Sequence, residues 1–420
     1  MNSSQQNLRK IRVEQRLKLE RYQAWEESFH VFDEESALAV EMALAAGRPL
    51  LVRGEPGSGK SQLARAAAQE LNRTFIAEVI TATTDGQDLL WHYDPVARLY
   101  DAQTLAAEAA ARAYQQELEE EEANLLLEDE QQSASPPVLQ TDAASRKKNA
   151  RYRKKKVLQQ KRQHLFKAIG LSIAQQNGLP GKTSEELQPS NYISPGPLWW
   201  ALDWVSALRQ HERCRCPFYH PPCFTLNRSE ETTGRGTVLL LDEIDKAEPS
   251  LPNALLEVLG NGGFQVPLLN QTIMAQPSNP RPLVIITTNE ERELPPAFIR
   301  RCLVLNLRLD DEQRLRTWWS RQINRTEPFN QERALVKWLA ERGEVHFENI
   351  FAVRIREKAA ELLVRDRREA KQAGLIKPGQ AEYLDMLRAL QVMTEPGSNE
   401  QQLALLERIS SYALIKYPQE

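Results

Sequence analysis

Hydrophobic and polar positions follow different rhythms along this chain, and each change of rhythm marks a part. The opening MNSSQQNLRKIRVEQRLKLERYQ is polar with isolated apolar residues and reads as a solvated basic helical arm, residues 1–29, whose Arg and Lys face water. From Phe32 apolar positions gather at helical spacing, and DEESALAVEMALAAG predicts an amphipathic helix closed by Gly47. The apolar run PLLV at Pro49–Val52 predicts a short strand, followed by a glycine loop, a helix over SQLARAAAQEL and a strand over TFIAEVI from Thr74. Strand, loop, helix and strand open a parallel α/β unit.

Between about Asp101 and Pro189 the pattern departs from that of a packed sheet. Ala106 to Glu130 is helix-prone and ends in an acidic block, SASPPVLQTDAAS is a turn or linker, and Arg146 to Arg162 is comparably basic. Folded back as antiparallel helices, the two blocks set Glu117 against Gln159 and Glu130 against Arg146, so that opposite charges satisfy one another. A disordered insert or a separate RNA-binding segment is the alternative. After Thr237 the α/β grammar returns: TVLLLDE predicts a buried strand, PSLPNALLEVLGNGG a helix closed by glycines, and PLVIITTN another strand. From Asp310 the strands stop and five helical segments follow. The expected fold is therefore α/β, a parallel sheet sandwiched by helices over residues 30–309, with a helical-hairpin insertion at about 101–190 and a C-terminal all-α domain over 310–420.

Composition changes this picture little. An apolar share of 41% with 26% charged residues is the balance of a soluble globular protein. With 54 Lys+Arg against 57 Asp+Glu, the net charge of -3 gives no field for nucleic acid, leaving the basic stretch 146–162 as the one local hint of it. No run approaches the roughly 20 apolar residues of a membrane span and no apolar export segment opens the chain. A cytoplasmic protein without membrane contact is expected, and four cysteines, three of them between Cys214 and Cys223, fit a reducing compartment.

The candidate chemistry sits at the ends of the predicted strands. Gly54, Glu55, Pro56, Gly57, Ser58, Gly59, Lys60 and Ser61 match G-x-x-x-x-G-K-[ST] directly after a strand and before a helix, the pattern of a phosphate-cradling P-loop. Glycines let successive N–H groups curl around phosphate oxygens, the helix adds its positive end, Lys60 reaches the β and γ phosphates, and the Ser61 hydroxyl ligates Mg²⁺. The apolar strand Val238–Leu241 delivers Asp242, a second Mg²⁺ ligand, and Glu243, a base that polarises the attacking water. Glu257 reads as helix surface. Asn289, ending the strand after Leu283, would orient that water. Arg300 and Arg301 follow Pro295 and Pro296 on a short helix and suit an arginine finger reaching a neighbouring subunit, while Arg354 or Arg356 would approach the phosphates from the helical domain.

The chain resembles MoxR-type AAA+ ATPases over about Phe32 to Leu307, and more loosely through the helical lid. The resemblance is carried by GEPGSGKS, DLLWHYDPVARLYDAQ (Asp88 to Gln103), PGPLWWALD (Pro195 to Asp203), VLLLDEIDKAEPSLPNALLEVL and PLVIITTNEERELPPAFIRRC. It implies Lys60 and Ser61 as Walker A, Asp242 and Glu243 as Walker B, Asn289 as sensor 1, Arg301 as finger and Arg354 as sensor 2. It also implies ATP and Mg²⁺ as ligands and a homo-oligomeric ring, a hexamer, hydrolysing ATP between subunits to remodel or activate a partner, often a von Willebrand factor A domain protein.

The chain departs from the family in three places. Arg300 stands where many members carry an acid, which leaves Arg300 and Arg301 both open as the finger. The 101–190 segment is long and lies where this clade carries its helix-2 insert, which fits a partner-contacting hairpin. The loop 211–223 crowds thiols and imidazoles, and Cys214, Cys216, His220 and Cys223 offer a tetrahedral zinc set against the alternative of free loop thiols, the C-x-C spacing being tighter than usual. Two other functions stand beside the remodelling ATPase: an ATP-gated scaffold of a bacterial defence or signalling assembly with slow turnover, and a nucleic-acid-associated motor. The presence of both carboxylates favours turnover.

Overall fold

The computed structural model describes residues 11–22, 25–133, 152–153, 156–157, 159–161, 187–217, 236–276, 280–322, 328–395 and 397–414. The chain divides into two compact units: one of Met1–His92, Ser194–Glu212 and Pro217–Glu420, the other of Tyr93–Ile193 and Arg213–Cys216.

The first unit begins with β1 (Leu17–Leu19) and β2 (Ser28–His30), an antiparallel pair that sets Leu17 against His30 and Leu19 against Ser28. This corrects the expectation of a solvated basic helix over residues 1–29, of which residues 1–10 and 23–24 lie outside the described ones. The polar sequence hides three apolar anchors, Ile11, Leu19 and Tyr22, all buried in the sheet-side core. The Tyr22 ring meets Phe75 edge-on at 5.0 Å between centroids. Arg12 does not face water alone either, since its Nε lies 2.6 Å from Glu70 Oε1.

The next elements are α1 (Glu34–Ala46), β3 (Leu50–Arg53), α2 (Lys60–Glu70), β4 (Thr74–Val79) and β5 (Trp91–Tyr93). Asp33 caps α1 by accepting from Ser36 N at 2.8 Å, and Gly47 ends it at φ +62. Past α3 (Pro95–Ser133), which belongs to the second unit, the chain forms β6 (Ile193–Pro195), α4 (Pro197–Leu202), α5 (Trp204–Arg213) and β7 (Thr237–Asp242). Then come α6 (Ser250–Asn261), β8 (Gly263–Val266), β9 (Gln271–Met274), β10 (Leu283–Thr288), α7 (Pro296–Arg301) and β11 (Leu303–Asn306). Glu257 is exposed on α6, as expected.

One five-stranded sheet, ordered β11-β3-β10-β7-β4 and wholly parallel, organises this unit. Strands covered on both faces need apolar side chains in both directions, which is why Leu50–Val52, Val238–Leu241 and Leu283–Ile286 read as unbroken apolar runs and are buried throughout. The antiparallel pair β8–β9 was not foreseen in the sequence. Its turn places Asn270 at φ +50, where Asn is tolerated better than most residues.

The C-terminal part is all-α as expected: α8 (Glu312–Gln322), α9 (Gln331–His346), α10 (Val353–Gln372), α11 (Gln380–Met393) and α12 (Asn399–Ala413). These helices share a core of their own, with Leu339, Ile355, Leu363, Tyr383, Leu387 and Leu406 essentially fully buried.

In the second unit Asp94 caps α3, accepting from Ala97 N at 2.8 Å. Asp101 accepts from the Tyr192 hydroxyl at 2.8 Å and pairs with Arg215 at 3.3 Å. Burial, then the bond to Asp101, push the Tyr192 phenol up to about 12. The expected hairpin cannot be followed past α3, because its turn and Arg146 fall outside the described residues. No helix among the described residues is long and apolar enough to cross a membrane.

Candidate active site

All five strands of the sheet run the same way, so their C-terminal ends share one edge, and there the loops after β3, β7 and β10 converge. The loop after β3 turns through Gly57 at φ +72 and Gly59 at φ +86, backbone conformations that residues with a Cβ rarely adopt. Gly59 is also the N-cap of α2 and has no side chain to accept from the first-turn N–H groups. Those donors are left for an anion, at the positive end of the helix.

Lys60, 7% exposed, donates to Gly54 O and Glu55 O at 2.9 Å each and to Asn289 Oδ1 at 2.8 Å. Its partners are neutral oxygens, and no ion pair at Lys60 is found among the described residues. Burial pushes its pKa down, while Asp242, Asp245, Glu243 and Glu55 push the other way from a distance. A buried cation without a contact counter-charge, set beside uncapped N–H groups, is a polyanion site. A cavity of about 430 Å³ lies over it, lined by Pro56 to Gln62, Asp242, Glu243 and Asn289, and on the lid side by Gln380, Ala381, Leu384, Asp385 and Arg388.

At the start of α2 the Ser61 hydroxyl sits 2.9 and 2.8 Å from the two oxygens of Asp242. Thr287 on β10 donates to Asp242 Oδ1, and Glu243 N donates to Thr287 Oγ1 at 2.9 Å, which fixes the end of β7 against β10. A hydroxyl and a carboxylate side by side, with phosphates due in the same cavity, are the hard oxygen donors that suit Mg²⁺, which commonly takes one or two carboxylates plus substrate oxygens. The residues present fit that ion.

Immediately past β7, Glu243 adopts φ +61 and lines the cavity. Asn289 reaches it with Nδ2 at 3.3 Å while its Oδ1 takes the Lys60 proton donor, so one amide links cation and carboxylate. The residue that fixes this amide's loop was missed in the sequence. Asp245, 2% exposed, accepts from Asn289 N at 3.2 Å and from Glu291 N at 3.0 Å. Its only sequence signal is a third acid two positions after Glu243.

The helical part contributes differently from expectation. Arg354 is exposed at the start of α10 and does not line the cavity, so the structure does not bring the expected sensor-2 residue to the site. Arg356 faces the other way, donating to Ala340 O at 2.9 Å and pairing with Glu344 at 2.7 Å. The lid cation that lines the cavity is Arg388 on α11, which also pairs with Asp385 at 2.6 Å. Lid and loop are in direct contact at Arg367, which is 4% exposed, donates to Glu55 Oε2 at 2.8 Å and lies 3.2 Å from Asp310. Asp310 would be raised by burial, but Arg367 and Lys377 outweigh it and hold the carboxyl below its usual range.

Beside the phosphate cavity, and sharing Ser58, Gly59, Gln62 and Gln380 with it, lies a narrow slot lined by Phe29, His30, Leu63, Leu307, Arg342 and His346. Burial first, then Arg342, depress His30 to about 3 and His346 to about 4, so both imidazoles are neutral around pH 7.

Arg300 and Arg301 are exposed on α7 and line neither cavity. Their carbonyls, with that of Cys302, are held by the Arg48 guanidinium: Arg301 O at 3.1 Å, Arg300 O at 2.5 Å and Cys302 O at 3.2 Å. Of the expected zinc ligands, Cys214 is buried and Cys216 exposed, whereas His220 and Cys223 lie outside the described residues.

No curated protein matches the chain. Among solved structures, the crystal structure of a candidate ATPase from Cytophaga hutchinsonii aligns over 90% of this chain and 79% of its own, at 12% identity and TM-score 0.29, a similarity too weak to transfer any detail. The loop, the paired acids and the asparagine instead agree with a family match: the AAA domain, dynein-related subfamily, covers residues 49–190 and 205–302, more than half of the chain. Because the family model spans the glycine loop after β3, the two acids at the end of β7 and Asn289 after β10, the chain belongs to the dynein-related AAA domain family and is an ATPase.

Proposed function

We propose that the chain is a MoxR-like AAA+ ATPase that works as a ring, hexameric by family resemblance, and converts ATP hydrolysis into remodelling or activation of a partner protein. The observation that carries the reading is the contact of Ser61 Oγ with both oxygens of Asp242, next to Lys60 and Glu243 in one cavity. In this reading Ser61 and Asp242 would hold Mg²⁺, which would supply positive charge against that of the phosphates. Lys60 and the N–H groups of the loop bind the triphosphate, Glu243 takes the proton of the attacking water, and Asn289 orients that water. Arg300 or Arg301 belongs to the neighbouring subunit's site. Arg388 is the cis lid cation in place of Arg354. A von Willebrand factor A domain protein is the partner the resemblance suggests. Two carboxylates, Asp242 and Glu243, lining one cavity with Lys60 support turnover over the scaffold alternative.

Glu243→Gln tests the assignment. ATP binding is expected to survive while turnover falls by about 10²-fold or more, the usual range of a lost general base. Unchanged turnover removes Glu243 from the mechanism. The same variant, stalled with ATP, is expected to retain its partner in a pull-down from which the wild type has released it.

A further inference from the structure

Both oxygens of the Glu243 carboxylate are occupied. Oε1 accepts from Asn289 Nδ2 at 3.3 Å, and Oε2 lies 2.6 Å from Lys246 Nζ, across the single 3-10 turn Ile244–Lys246. The two holds differ in strength and in freedom. Asn289 is itself fixed, through Lys60 on its Oδ1 and Asp245 on its backbone N–H, and its reach to Glu243 is long. The Lys246 contact is short and charge-assisted, the stronger kind. Yet it comes from a flexible side chain that is 43% exposed and lines neither cavity. A carboxylate that is to take a proton from water needs an oxygen free to turn toward that water, and an ammonium in contact covers one oxygen and holds the side chain in place.

The left-handed backbone at Glu243, φ +61, makes this contact local: the turn it starts returns the chain so that Lys246 N donates to Glu243 O at 3.0 Å. The lysine thus reaches the base without passing through the nucleotide cavity. We propose that Lys246 is a latch on Glu243, a positioning residue that holds the base in an unproductive pose in the resting chain and limits ATP turnover until its ammonium is drawn away. The inference rests on the reading of Glu243 as the base. It concerns the rate of the proton-transfer step and not the binding of ATP, because Lys246 is outside the cavity.

The test is steady-state ATP hydrolysis by full-length wild type, Lys246→Met, Lys246→Arg and Glu243→Gln, with ATP binding measured for each. Lys246→Met is expected to raise kcat about two- to fivefold, the range that releasing one exposed ion pair allows, with KM for ATP unchanged. Lys246→Arg keeps the cation and is expected to retain the wild-type rate. A kcat for Lys246→Met at or below wild type overturns the latch, and so does loss of ATP binding in that variant, which would make the lysine structural. A Glu243→Gln variant that still hydrolyses ATP sinks the reading of the base itself, a result distinct from either outcome at Lys246.

Discussion

At the scale of single residues, two glycines of the loop after β3 do different work, although the sequence pattern treats them alike. Both sit at positive φ, +72 at Gly57 and +86 at Gly59, and a Cβ at either costs roughly 1–2 kcal/mol of backbone strain. A Cβ on Gly57 would also lie 2.8 Å from the Cβ of Ala381, at the start of the lid helix α11, whose N–H donates to Gly57 O at 3.2 Å. On Gly59 the nearest atom would be Gln62 Oε1 at 3.8 Å, an ordinary contact. Gly57→Ala is therefore expected to lower the melting temperature of the nucleotide-free protein clearly more than Gly59→Ala does. Equal losses would show that the loop and α11 are not in register, and that the lid cavity residues belong to another arrangement.

At the scale of elements, the N-terminal hairpin is where the sequence and the fold part company. Leu19 is fully buried, in the same core as Phe75 and Leu63. Leu19→Ala should then cost about 2–5 kcal/mol in denaturant unfolding, as for other buried leucines, where a change on a solvated helix stays within about 0.5 kcal/mol. A loss in the lower range would restore the helical arm. The physical reason the hairpin was illegible is its size. β1 and β2 are three residues each, too short for a period-2 pattern to emerge, and their burial is decided by Tyr22, Trp25 and Phe75 meeting across the fold. The parallel sheet was legible for the opposite reason, since burial on both faces forces continuous apolar runs that no turn residue interrupts. The loop, the acids and Asn289 were legible because strand ends fix where they go. Arg388 and Asp245 were not, because one depends on how α11 packs over the loop and the other on backbone N–H groups in the loop after β10.

At the scale of the whole molecule, each chain presents a site and, elsewhere, exposed arginines that the site does not use. Lys60 and Arg388 line the cavity in cis, while Arg300 and Arg301 are exposed on α7 and absent from its lining. A cation placed on the developing phosphate charge is worth about 10³ to 10⁵ in rate, so the proposed ring works only where one chain lends its arginine to the next. Arg300→Ala or Arg301→Ala is expected to bind ATP and lose turnover, and Lys60→Ala to lose nucleotide while keeping an intact α7. Mixed in equal amounts, the arginine and lysine variants should recover turnover, because in a head-to-tail ring about one interface in four pairs an intact site with an intact arginine. The measurement is ATP hydrolysis of the mixture against each variant alone, with co-assembly checked by size. No recovery in rings shown to contain both variants would mean that α7 does not act in trans, and undiminished turnover in both arginine variants would move the finger off α7 altogether.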